Sequence, residues 1–295
     1  MDSSKAYEIL KKVRRIEIRT KKFVTDALTG QYHSVFKGRG MNFEEVREYL
    51  PGDEVRSIDW NVTARTGRPF IKKFTEEREL TILLMVDVSA SGNFGSTTQS
   101  KREMSAELAS VLAFSAIRNN DKVGLILFTD QIEQYIPPKK GRSHVLRVIR
   151  EILFFDPKHR GTNIVQALDF TNKVLPRRAV VFLISDFQAP DCHRALQLTN
   201  KHHDLIAVTV ADPRERELPS IGLLTIEDSE TGEQLELDTS DPKIRARFAE
   251  IAEKKLESIR RTLRSTGVDM LELSTAKPYM PALLQFFAKR EKRRI

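Results

Sequence analysis

Three short stretches carry oxygen ligands at spacings that chemistry can use. In TILLMVDVSASGNFGS (81–96), an apolar run meets Asp87-Val88-Ser89-Ala90-Ser91. RGTNI (160–164) places Thr162 just ahead of a helical pattern, and the apolar run 179–184 is followed by Asp186. Asp87, Ser89, Ser91, Thr162 and Asp186 together offer two carboxylates and three hydroxyls. The set has no imidazole or thiolate, the ligands zinc usually takes. It suits a hard cation: Mg2+ takes an octahedron of oxygens at about 2.0–2.1 Å and keeps several waters. Two carboxylates balance the charge, and hydroxyls fill the near positions without adding repulsion. The residue types leave open whether the ion is Mg2+, Mn2+ or Ca2+. In an extended turn side chains repeat every second residue, which aims Asp87, Ser89 and Ser91 the same way. Gly92 and Gly95 let the loop bend tightly. The plainer alternative is capping, since Asp and Ser gather in turns and at helix starts.

These residues need elements to bring them together. Ile82–Val86 reads as a strand without polar interruption, as in a parallel sheet covered on both faces. Helical spacing follows at Met104–Ile117, then a strand at Val123–Phe128 and a hairpin partner at Ile132–Ile136. Helices at Val145–Leu153 and Ile164–Val174 precede a strand at Val180–Ile184, a helix at Cys192–Asn200 and a strand at Leu205–Val210. An inserted hairpin spans Gly222–Asp238, turning near Thr231-Gly232. A long amphipathic helix covers Pro242–Thr266, then a strand Val268–Leu273 and a helix Pro281–Phe287. Strands alternating with helices predict a doubly wound, mostly parallel α/β sheet of Rossmann type. In such sheets ligands sit beyond the carboxyl ends of the strands, so Asp87, Thr162 and Asp186 are expected at one rim. Residues 5–17 have helical spacing, and the rest of 1–75 reads as a small irregular segment of short strands with a helical turn around Val55–Ala64. The division expected is 1–75 and 76–295.

Composition narrows the function classes. The 295 residues carry a net charge of +8 and 40% hydrophobic residues, with no apolar run near the length of a membrane span. No signal-peptide shape opens the chain, and the single cysteine, Cys192, cannot form an internal disulfide. A soluble, cytoplasmic protein is expected. Residues 1–75 hold sixteen basic and ten acidic side chains, and 284–295 hold five and one, which leaves the middle at −2. The central domain is therefore no basic platform for nucleic acid, and any phosphate contact falls to the ends. Lys11, Lys12, Arg14 and Arg15 lack interleaved aromatics and read as a solvated helix face. The tail AKREKRRI (288–295) reads as a solvated helix end.

The five-residue set resembles the metal-ion-dependent adhesion site of von Willebrand factor A-type domains, with each position filled in order. A second resemblance lies upstream. Gly38 and Gly40, Arg47-Glu48-Tyr49-Leu50-Pro51-Gly52-Asp53, Arg56-Ser57-Ile58-Asp59-Trp60 and Thr63-Ala64-Arg65 are similar to the bacterial domain-of-unknown-function 58 proteins, over about residues 30–290. The first likeness implies a metal-dependent binding module in which a partner's Asp or Glu completes the ion's shell. The second implies a partner class, MoxR-type AAA+ ATPases or their clients, and an adaptor or co-chaperone role.

The residues of 47–65 also admit a scaffold role: a type II turn at Pro51-Gly52, Asp53 capping a helix from Glu54, Trp60 as a packing anchor, and ion pairs among Asp53, Arg56, Asp59 and Arg65. The sequence bears on two further function classes. A Mg2+-dependent phosphatase of the haloacid-dehalogenase type needs an aspartate where Ser89 stands. No Walker A loop or nucleophile elbow occurs, and His202-His203 reads as a surface turn, so no enzyme is expected. Nucleic-acid binding through the basic termini is the remaining class.

Overall fold

A computed structural model describes residues 13–14, 32, 35–36, 42–75, 79–188, 192–229 and 231–293, with backbone alone for 42–45 and 72–75. The expected helix at 5–17 and Gly38/Gly40 lie essentially outside the described residues. Two compact units are present, one made of Met1–Val35 with Thr81–Ile295 and one of Phe36–Leu80. Within the large unit the buried Tyr32 hydroxyl donates to Asp121 Oδ2 at 2.9 Å.

The small unit pairs β1 (Asn42–Glu48) antiparallel with β2 (Phe70–Thr75), and includes a 3-10 turn at Val55–Ser57 and the helix α1 (Trp60–Thr66). After β1 the Leu50–Asp53 turn closes through Asp53 N–H to Leu50 O at 3.0 Å, with Gly52 at φ 107°. A positive φ there is what glycine supplies at low cost. Asp53 caps no helix. Its carboxylate accepts the Leu50 N–H and a two-pronged bond from Arg47, whose guanidinium holds the carboxyl below its usual range. Asp53 is therefore paired with Arg47, not with Arg56 or Arg65, and Asp59 caps α1 by accepting from Asn61 and Val62 N–H. Trp60 is not a packing anchor. It opens α1 just past that cap and is 67% exposed, while Ile71, bridged to Ile58, is buried instead.

The large unit follows the expected alternation. In chain order it contains β3 (Thr81–Asp87), α2 (Lys101–Arg118), β4 (Lys122–Phe128), β5 (Ile132–Lys139), α3 (Arg142–Phe154), α4 (Ile164–Val174), β6 (Val180–Ser185), α5 (His193–His202) and β7 (Asp204–Ala211). A hairpin of β8 (Leu223–Glu227) and β9 (Gln234–Asp238) precedes α6 (Pro242–Ser265), β10 (Asp269–Ser274) and α7 (Tyr279–Lys292). The six-stranded sheet runs β10-β7-β6-β3-β4-β5, parallel except for the edge strand β5. The edge position lets β5 extend through Pro137 and Pro138, which have no N–H to give a further neighbour. Leu83 and Met85 pack with Ile164, Leu168, Leu196 and Leu263 on one face. Ile82, Leu84 and Val86 are equally buried and point to the opposite face. Covering both faces is why β3 reads as an unbroken apolar run.

Chain order reverses at β3, which has β4 on one side and β6 on the other. That is the topological switch point, where the loops leaving the two strands diverge and open a crevice. His203 corrects one reading. It is buried, with Nδ1 accepting the Ala179 N–H at 3.3 Å, and burial beside His202 and Arg178 pushes its pKa down, so the ring is neutral.

Candidate metal centre

The loop leaving β3 is pinned from three sides. Val88 N–H donates to Phe128 O at 2.9 Å, and Ala90 N–H to Arg160 O at 3.1 Å. Arg102 on α2 spans the gap, donating to Val88 O at 3.0 Å and to Phe155 O at 3.1 Å. Asn163 N–H donates to Thr129 O at 2.9 Å, and the Asn163 side chain caps α4. That fixes Thr162 beside the end of β4.

The expected set does gather here, by a different local geometry. Ala90–Asn93 is a short 3-10 turn rather than an extended one. The turn brings Ser89 Oγ within 3.2 Å of Ser91 Oγ. Asp87 Oδ1 accepts the Ser89 N–H at 2.9 Å, and Oδ2 accepts Thr162 Oγ1–H at 3.4 Å. Neither serine caps a helix, because Ser100 caps α2 in a capping box with Glu103. Ser185, absent from the sequence reading, donates its hydroxyl to Asp87 Oδ2 at 2.7 Å. Among the described residues Asp87 has hydroxyl and amide partners but no ion pair. Burial, with Asp186 close by, pushes its pKa up to about 6.

Asp186 lines the same small cavity as Asp87, Ser91 and Ser185, about 20 Å³ in volume. Its carboxylate is already engaged. Oδ1 accepts the Gln188 N–H at 3.2 Å, and Oδ2 lies 2.9 Å from Lys101 Nζ. The same ammonium lies 2.6 Å from Glu215 Oε1. Glu215 closes a capping box with Asp212, accepting the Asp212 N–H at 2.8 Å. Asp212 then bonds Ser96 in the loop after β3 and Thr275 after β10. Lys101, Glu215 and Asp212 were missed from sequence. The signal for two of them is legible in ADPRE (211–215), which puts a capping Asp, a first-turn Pro and a Glu three residues on, directly after a strand.

Among the described residues no three His, Cys, Asp or Glu side chains gather as a metal cage. The rim offers two carboxylates and a set of hydroxyls instead. Those oxygens fit a hard cation at Asp87, whose carboxylate makes no direct salt bridge among the described residues, although the Arg102 guanidinium lines the same cavity and acts on it electrostatically.

Of the two glycines expected to bend the loop, only Gly95 is needed. A Cβ on Gly95 would lie 2.7 Å from Ser100 Cα and 2.9 Å from Gln99 O, whereas one on Gly92 would meet nothing nearer than 3.9 Å. Gly95→Ala is expected to lower stability by about 1–3 kcal/mol, the usual cost of overpacking, with Gly92→Ala near wild type. Paired thermal melts check the contrast.

Comparison with known proteins gives the chain a family. The uncharacterized protein Rv1480 of Mycobacterium tuberculosis is 31% identical over 283 residues, spanning 95% of this chain and 89% of that one. Among solved structures, the conserved hypothetical protein BatB from Bacteroides thetaiotaomicron overlaps with a TM-score of 0.47 at 17% identity, over 72% of this chain and 99% of that one. The SpRpn10 VWA domain overlaps with a TM-score of 0.37 at 12% identity, over 70% and 93%. Residues 45–258, taking in the Arg47–Asp53 clamp and every residue of the rim, match the family described as "Protein of unknown function DUF58", to which this chain belongs.

Proposed function

We propose that the chain is a protein-binding module that grips a partner's carboxylate through a divalent cation at the β3–β6 rim. Asp87, Ser89, Ser91, Thr162 and Asp186 are the residues that would hold the ion. When bound, it would supply an open coordination position for an Asp or Glu of the partner, a charge-assisted contact strengthened by partial desolvation. The observation that carries the reading is the convergence of Asp87, both serines and Thr162 at the switch point of the sheet, around a buried carboxylate that makes no direct salt bridge among the described residues.

A docking role suits the rim, whose hydroxyls, Ser89 Oγ included, gather on one another and on the Asp87 carboxylate as a shell of oxygen ligands. Among the described residues no helix is long and apolar enough to cross a membrane. The partner class drawn from the family resemblance, a MoxR-type AAA+ ATPase or its client, and a cytoplasmic adaptor role complete the proposal.

The test uses purified chain and a purified MoxR-type ATPase. Mg2+ or Mn2+ is expected to raise the melting temperature and permit capture, and EDTA to reverse both. The double variant Asp87→Ala/Ser89→Ala is expected to stay folded and to lose both responses. Capture that persists in EDTA sinks metal-mediated docking.

A further inference from the structure

Lys101 is placed against the local electrostatics of its own helix. It is the first residue of α2, directly after the Ser100 cap. The positive end of a helix dipole disfavours a cation there. Its side chain is nonetheless 4% exposed, and its Nζ lies between Asp186 Oδ2 at 2.9 Å and Glu215 Oε1 at 2.6 Å. The two carboxylates outweigh the cost of burial and hold the lysine pKa up, so the group stays an ammonium. Glu215 is fixed in turn by its capping box with Asp212, and its side chain is 24% exposed. The cavity shared by Asp87, Asp186 and Lys101, about 20 Å³, has room for roughly one water.

We propose that Lys101 is a built-in competitor of the divalent cation. Its ammonium neutralises Asp186, and the ion reaches Asp186 only when the ammonium withdraws toward Glu215. This rests on the cation reading of the rim, and adds a regulator to it. The exchange conserves charge locally, because Glu215 keeps the ammonium paired as Asp186 turns to the metal. It makes the site weak and responsive rather than permanently loaded. A partner that approaches Asp186 or draws Lys101 away would raise cation affinity, and the cation would raise partner affinity by the same factor.

The test is titration of the full chain with MnCl2 alone, followed by calorimetry and by the electron paramagnetic resonance of free Mn2+. Wild type, Lys101→Met and Lys101→Met/Glu215→Gln are compared, with folding checked by circular dichroism. The double variant removes one charge of each sign, and so survives if the single variant, with two unpaired carboxylates, does not fold. Removal of the competing ammonium is expected to tighten Mn2+ binding at least about tenfold in the double variant. Equal affinity in wild type and variant overturns the competitor role and leaves the cation reading standing. Weaker binding in the variant overturns it too, since Lys101 would then be organising Asp186 for the ion. Absence of Mn2+ binding in all three proteins overturns the cation reading, and this inference with it.

Discussion

Asp212→Ala is expected to lower the unfolding free energy by about 4 kcal/mol, which for a domain of this size is a fall of about 10 °C in melting temperature. Asp212 is fully buried at the carboxyl end of β7. It accepts four hydrogen bonds: from Ser96 N–H at 2.8 Å, from the Ser96 hydroxyl, from Arg214 N–H at 2.9 Å, and from Thr275 Oγ1–H at 2.8 Å. Alanine leaves those donors unsatisfied around a void and unties three loops that leave β3, β7 and β10. Bonds to a charged acceptor contribute about 1.5–3 kcal/mol each, and four on one carboxylate are not additive.

Asn keeps the shape of Asp212 but turns an amide NH2 toward two of the donors, so Asp212→Asn is expected to fall between wild type and alanine. The pH dependence separates charge from shape. Burial works against ionisation of Asp212, yet the bonds from Ser96, Arg214 and Thr275 outweigh it and hold the carboxyl below its usual range. In acid the unfolded chain therefore takes up the proton first. The stabilisation is complete above the ordinary carboxylate pKa of about 3.9 and is lost as pH falls through the lower folded value. Urea unfolding at pH 7 and at pH 3 should show the gap between wild type and Asp212→Asn narrowing in acid. A gap that widens in acid refutes the assignment.

Much of this architecture was legible because its determinants are local. Apolar runs of strand length between helical patterns located the strands of the main sheet, and Ile164–Val174 coincides with α4 to the residue. The rim set was legible because the carboxyl ends of the strands and the oxygen-rich loops coincide in sequence. What escaped depends on through-space pairing. A lysine in SKREM looks like a solvated first-turn residue, and only the fold shows Asp186 and Glu215, from the segments that follow two other strands, closing on it. The same holds for His203, which looks like part of a polar turn and is buried against the Ala179 N–H. Trp60 erred in the other direction. Aromatic residues usually pack, but this one directly follows a helix cap in a small unit and stays largely exposed.

The basic carboxyl-terminal stretch is the other place where fold overrides pattern, and it yields the second large effect. Residues 288–292 continue α7, as a helix end does, but they are not all solvated. Arg290 is buried with an 8% exposed side chain, its Nε lies 3.0 Å from Asp269 Oδ2, and it is also paired with Asp204. Asp204 and Asp269 open the neighbouring parallel strands β7 and β10, so one guanidinium ties the last helix to two strand starts. Its planar fork suits this double pairing better than a lysine ammonium would. Arg290→Ala removes the buried guanidinium that Asp204 and Asp269 share, leaving Asp269 with the exposed Arg293, and is expected to lower stability by about 3–5 kcal/mol. Arg293 lies 2.8 Å from Asp269 Oδ1 but is 60% exposed, and Arg293→Ala is expected to cost well under about 1 kcal/mol, as surface pairs do. Denaturant unfolding of the two variants side by side measures the contrast. Equal midpoints would make the stretch a solvated helix end after all. A large loss confined to Arg290→Ala would show that this charge is committed within the fold and unavailable to phosphates.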